Sequence, residues 1–211
     1  MKHIIKQKEP QAFSEWKAQA NENWEPSYAE LSGSTKQEDK QALMAEQGYI
    51  CCYCERPLTQ NDSHIEHFNP QFALDVNPLD YTNMLCSCQK QLKKGEPRHC
   101  GNLKGDWFDE KMLVSPLDPS CEKRFAYMGD GGISPGKEDD QGALQTIENL
   151  GLDIPKLRDL RAKAIEPFMN EDLTDEELSS FVSGYLQLSN TGKFGEFYTT
   201  ILYIFGGLAG A

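Results

Sequence analysis

The chain has 211 residues, 38% of them hydrophobic and 26% charged, with a formal net charge of −12. That length supports one good-sized domain or a small one with an appended lobe, and the balance is that of a soluble globular protein. The opening Met1-Lys2-His3-Ile4-Ile5-Lys6 has no apolar core for a signal peptide, and the most apolar stretch, Phe197 to Leu208, falls short of the roughly 20 residues that span a bilayer, so a cytoplasmic, non-membrane protein is expected.

Residues 1–48 read as a helical arm. Thr35 and Glu38 have capping-box spacing, and Gly48 stands where a helix C-terminal cap belongs. Residues 49–128 are rich in Cys, His, Asn and Pro, with little helical period before residue 107, and predict hairpins, turns and one short helix. Gly129 to Gly136 reads as a linker. From residue 138 to 211 a helical lobe is expected. Pro155 stands at a first helical position, with Leu157, Leu160, Ala164 and Phe168 following at helical spacing. Thr174 and Glu177 form a second capping box ahead of Leu178, Phe181, Val182, Tyr185 and Leu186, and a last helix runs from about Lys193 to Phe205. It is apolar on most sides, which suits either a buried position or a docking surface.

Charge is unevenly spread. Between Cys86 and Lys104 the basic residues Lys90, Lys93, Lys94, Arg98 and Lys104 face Glu96 alone, whereas residues 138–180 carry twelve acids against Lys156, Arg158, Arg161 and Lys163. An acidic chain with one basic island can meet phosphates at one place, as phosphate ligands or as a solvated loop, and suggests that a partner supplies much of the affinity.

The seven cysteines all fall between positions 51 and 121, a clustering that favours metal ligation over disulfides in a reducing compartment. Cys51 and Cys54 form a C-x-x-C pair. Cys86, Cys88 and Cys100 are candidates for the other half of a tetrahedral zinc site, and Cys52 and Cys86 are most simply read as core thiols. Between the halves lies His64-Ile65-Glu66-His67-Phe68-Asn69-Pro70. An acid beside a histidine can place a carboxylate on a divalent ion and an imidazole on a water. On a regular strand His64 and Glu66 project to one face and Ile65 and His67 to the other, so Glu66 and His67 can share a site only if the chain turns there. Tyr53 and Trp107 read as packing residues. No Gly-rich phosphate loop is present, so nucleotide hydrolysis by this chain is not expected.

The order C-x-x-C, Glu-His-x-x-Pro, Asn83, cysteine, then Cys100-Gly101-Asn102-Leu103-Lys104 resembles the HNH nuclease family over about residues 51–105. Lys8-Glu9-Pro10, Gln47 to Glu55, Ser115-Pro116-Leu117-Asp118-Pro119 and Leu152 to Arg161 extend the likeness to the retron- and Septu-associated (PtuB-like) branch, partners of an ABC/SMC-like ATPase in antiphage defence. The resemblance implies an α+β, mainly helical protein in which a small zinc-stabilised ββα-metal core sits between the helical arm and lobe. It implies structural zinc on Cys51, Cys54, Cys88 and Cys100, with Cys88 preferred over Cys86. It further implies His67 as general base, Asn83 as the residue that orients it, and catalytic Mg²⁺ or Mn²⁺ on Glu66 and Asn102; apart from the resemblance, His99, adjacent to Cys100, could replace Asn102 on that ion. The implied partners are the ATPase and nucleic acid, DNA ahead of RNA. Two other readings stay open: a zinc module that only binds, and an adaptor of the ATPase with a vestigial site.

Overall fold

A computed structural model describes residues 1–208. It is a mixed α/β structure with seven α-helices and two small antiparallel sheets among the described residues. The expected helical arm is only partly helical. Residues 1–10 are extended, with Met1 and Ile4 buried and the Ile4 amide donating to the Pro116 carbonyl at 2.8 Å. Two helices follow, α1 (Gln11–Lys17) and α2 (Gly33–Glu46). The latter starts ahead of Thr35, with Ser32 at the N-cap, so the Thr35/Glu38 pair lies inside the helix instead of capping it.

The C-terminus of α2 follows the sequence expectation. Gly48 takes φ +61, its amide bonds the Ala45 carbonyl, and the Tyr49 amide reaches back to Met44 at 2.8 Å, the paired bonds of a Schellman cap. A Cβ at Gly48 would also enter the ring of Phe194, so chain reversal and packing both require glycine. The reversal delivers the chain into the Cys51–Cys54 turn, where Cys51 N–H bonds Arg56 and Cys52 N–H bonds the Cys86 carbonyl. Buried Gln47 joins the two sides: its amide donates to the carbonyls of Ile50 and Cys86 and accepts from the Cys86 amide.

Strand β1 (Ser63–His67) pairs antiparallel with β2 (Met84–Cys88), placing His67 opposite Met84 and Ser63 opposite Cys88. Every residue of β2 is buried, so it offers no apolar–polar alternation to read from sequence. The short helix α3 (Gly101–Lys104) packs on β2. Residues 129–136, expected as a linker, instead form the turn and second strand of a hairpin, β3 (Phe125–Tyr127) with β4 (Ile133–Pro135). Gly129-Asp130 makes the turn, closed by the Gly131 amide on the Met128 carbonyl, and buried Arg161 fixes it by donating to the Gly131 carbonyl at 2.6 Å.

The remaining helices are α4 (Gln141–Asn149), capped by Asp140, α5 (Pro155–Ile165), with Pro155 at its first turn, α6 (Asp175–Tyr185) and α7 (Tyr198–Phe205). The Thr174/Glu177 capping box forms with both of its hydrogen bonds. The last helix starts five residues later than expected, because Phe197 takes a left-handed φ of +52 and breaks the run. One core cluster extends from Met1 through the cysteine turn and β2 to Leu157; a smaller one joins Ile165, Phe168, Val182, Ile201 and Phe205.

Candidate active site and metal centre

Cys51 and Cys54 on the turn, Cys88 at the end of β2 and Cys100 before α3 bring their sulfurs within 4.8 Å of one another, all four buried. Cys54 and Cys88 Sγ are 3.6 Å apart. Four thiols with such spacing and no disulfide suit a tetrahedral metal cage. Burial alone would push the Cys51 thiol up, yet hydrogen bonds from Cys100, Cys52, Cys54 and Cys88 outweigh it and hold that thiol well below its ordinary value. Cys86 is not among the four; burial raises its thiol to about 12, and Cys52 and Cys121 are likewise buried and raised. Cys100 has φ +55, a conformation that costs a non-glycine residue on the order of 1–3 kcal/mol and persists only where neighbours over-determine it. Its amide bond to the Leu150 carbonyl, at 2.7 Å, and its place in the cage supply that constraint.

His99 belongs with the thiols and does not line the cleft that holds Glu66 and Asn102. It is fully buried, with Nδ1 at 3.1 Å from Cys100 Sγ and 3.7 Å from Cys88 Sγ, and Arg56 Nη1 lies at 3.5 Å from Nε2. Arginine can only donate, so Nε2 accepts and Nδ1–H points at sulfur. The sequence alternative that put His99 on the catalytic ion is corrected on this geometry.

Glu66, His67 and Asn102 line one cleft of about 420 Å³, together with His64, Gly101 and Lys90. The chain does turn after His67. Asn83 Oδ1 accepts from the Asn69 amide and its Nδ2 donates to the Asn69 carbonyl, both at 2.8 Å, while its own carbonyl takes the Phe68 amide. Asn83 therefore shapes the turn that follows His67. His67 Nε2 lies 2.9 Å from the Pro78 carbonyl. A carbonyl only accepts, so Nε2 holds the proton and the neutral ring keeps a lone pair on Nδ1. Tyr28 packs edge-on against the ring at 4.6 Å. Burial lowers the His67 pKa below 6.5, outweighing the Pro78 hydrogen bond and the Glu66 charge, both of which raise it.

Glu66 is divided in its contacts. Oε1 takes the Lys104 ammonium at 3.0 Å and the Tyr53 hydroxyl at 3.2 Å, while Oε2 lies 3.6 Å from His64 Nε2. A Cβ on Gly101 would fall on Oε2, so glycine is what lets α3 approach this carboxylate. Asn102 Nδ2 donates to the Gln89 carbonyl at 2.6 Å, which leaves its Oδ1 as an available acceptor at the same cleft. One carboxylate oxygen that takes no hydrogen bond, with His64 Nε2 at 3.6 Å, and one amide oxygen in a shared cleft form a donor set suited to a hard divalent cation.

The basic island divides. Lys90 is exposed and lines the cleft, whereas Lys93, Lys94 and Arg98 stand exposed on the loop beyond it. Lys104, expected to hold phosphate, is buried instead, with its ammonium engaged by Glu66 and by the His67 carbonyl at 3.1 Å. Tyr53, expected only to pack, is also a Glu66 partner; a hydroxyl in the cysteine turn carried no sequence signal for that.

No protein-family profile matches the chain. A protein of Vibrio cholerae serotype O1 biovar El Tor named "Retron Vc95 putative HNH endonuclease" is 31% identical over 127 residues, which cover 57% of this chain and 60% of that one. Over that stretch the chain is similar to this retron protein. It spans about three-fifths of that relative's length. No helix among the described residues is long and apolar enough to cross a membrane.

Proposed function

We propose that this chain is a metal-dependent HNH-type endonuclease that hydrolyses phosphodiester bonds, with DNA as its polymer. The observation that carries the reading is His67, whose Nε2–H is held by the Pro78 carbonyl so that Nδ1 is left as proton acceptor in the cleft that Glu66 and Asn102 line. In this reading Nδ1 takes a proton from water as the water oxygen attacks phosphorus, and the bond to the 3′ oxygen breaks in line. Burial keeps the ring neutral at pH 7, as a base must be. Glu66 Oε2 and Asn102 Oδ1 would hold Mg²⁺ or Mn²⁺, which when bound neutralises charge developing on the leaving oxygen. Asn83 keeps the turn after His67 in shape, and Lys104 and Tyr53 hold Glu66 in orientation through its other oxygen.

Zinc is the ion proposed for the four-cysteine cage, with all positions filled by sulfur and therefore a structural role. With β1, β2 and α3 crossing beside that cage, the reading makes residues 49–128 a ββα-metal core and the helical part from 138 onwards a docking lobe. Exposed Met169, Phe181, Leu188 and Tyr203 on that lobe support the docking of a partner. The partner proposed is the ABC/SMC-like ATPase of a cytoplasmic antiphage complex.

The test is cleavage of plasmid DNA and of total RNA, with Mg²⁺ or Mn²⁺, by the chain co-expressed with its neighbouring ATPase, beside His67→Ala. Loss of the base lowers the rate by about a hundredfold to ten-thousandfold. Equal cutting by both proteins removes His67 from the mechanism, and no cutting by either favours the adaptor reading.

A further inference from the structure

A second groove, of about 600 Å³, opens beside the catalytic cleft and shares His64, Ile65 and Lys90 with it. Its far wall is the start of α2, which contributes Lys36 and Lys40, and its floor includes Tyr28. No carboxylate among the described residues lines it. Among those residues Lys36, Lys40 and Lys90 have no acidic partner within ion-pair distance, while Lys2, Lys6, Lys17, Lys104 and Lys156 each have one. In a chain of net charge −12, three unpaired ammonium groups around one groove are a local reversal of sign.

Lys40 and Lys90 are close enough for the charge of Lys90 to act on Lys40. Lys40 is held below its ordinary pKa first by burial and then by the charge of Lys90, and Lys36 contributes to lowering His67 after burial and Lys104. Two of them are aimed by neighbours. Lys40 Nζ donates to the Gln60 carbonyl at 2.6 Å, and Lys36 Nζ stands over the Tyr28 ring at 4.7 Å. An ammonium has three donors, so each retains capacity for an anion. Ser32 and Gly33, at the start of α2, line the groove too, and that end carries no side-chain cap.

We propose that the groove is a backbone-binding track for the substrate, in which Lys36, Lys40 and Lys90 hold phosphates that flank the scissile one. This rests on the endonuclease reading and extends it with two lysines from α2, far in sequence from the basic island. A polyanion relieves the repulsion between Lys40 and Lys90, and its release of counterions supplies affinity. Lys93, Lys94 and Arg98 line neither the cleft nor the groove and stand outside the track.

The test uses the full chain carrying His67→Ala, so that binding is read without cutting. Anisotropy of a short fluorescein-labelled DNA duplex is followed against salt concentration. Adding Lys36→Gln and Lys90→Gln reduces the slope of log affinity against log salt by roughly two, about one for each phosphate no longer neutralised, while Lys93→Gln with Lys94→Gln leaves it unchanged. Lys40→Gln is measured separately with a melting curve, since its ammonium also ties a backbone carbonyl. An unchanged slope in the Lys36/Lys90 variant overturns the track. Cutting by the His67 protein is assayed in parallel: cutting with an unchanged slope overturns the track alone, and neither cutting nor DNA binding overturns the nuclease reading with it.

Discussion

Replacing Lys104 with methionine separates two roles for one residue. The Lys104 and Glu66 side chains are 1% and 9% exposed and their charges are 3.0 Å apart, so the pair is buried. Removing one member of a buried pair leaves an uncompensated charge and costs about 3–5 kcal/mol. For a chain of this size each kcal/mol moves the melting temperature by about 2–4 °C, so Lys104→Met lowers it by roughly 6–20 °C. Differential scanning calorimetry of the metal-replete protein, with and without added Mn²⁺, reads the effect. Mn²⁺ recovers part of the loss, because an ion on Glu66 Oε2 supplies the positive charge that Lys104 gave up. A lysine that held phosphate would behave in the opposite way, with unchanged melting and a shallower salt dependence of DNA binding. Melting within a degree of the parent protein refutes the pairing argument, and a loss that Mn²⁺ leaves untouched refutes the placing of the ion on Glu66.

Three further outcomes are expected. The rate of metal-dependent cleavage falls as acid protonates Nδ1 of His67; since burial depresses that pKa, the acid limb has its midpoint below pH 6.5 and activity is full above it, measured as kcat/KM across buffers. The same depression makes protonation cost stability, so the fold contribution of a neutral His67 is present above the unfolded-state value and lost as pH drops through the folded one. Cys88→Ser abolishes stoichiometric metal by mass spectrometry and lowers the melting temperature, whereas Cys86→Ser retains the metal; equal retention in both would remove Cys88 from the cage.

The sequence was most legible where one local rule dominates. Gly48 needed a left-handed cap, Pro155 a first helical turn and Thr174/Glu177 a capping box, and each reads from a few neighbouring residues. The grouping of Cys88 with Cys51, Cys54 and Cys100 also has a motif behind it. What stayed hidden depends on tertiary pairing. Lys104 looks like a solvated base because charge is its only local property; its burial comes from Glu66 lying on another element. The hairpin at 125–135 has three-residue strands, too short for a period, and its Gly129-Asp130 turn resembles a flexible join unless Arg161 is known to hold it. Lys36 and Lys40 sit on α2 with no spacing that points at Lys90, and only the groove unites them.

The bond from His67 to Pro78 has a bearing on how this chain can vary. The acceptor is a main-chain oxygen, so the tautomer of the histidine does not depend on which side chains occupy the intervening stretch. Phe72 and Leu74 in that stretch are exposed and free to drift among sequences. Length is another matter. The stretch is pinned at Asn69 by Asn83 and at Pro78 by the imidazole, so a one-residue insertion or deletion between them pulls the carbonyl away from Nε2. The loop should therefore tolerate many substitutions and few changes of length, and a frame-preserving indel here is expected to release the histidine tautomer while keeping the fold.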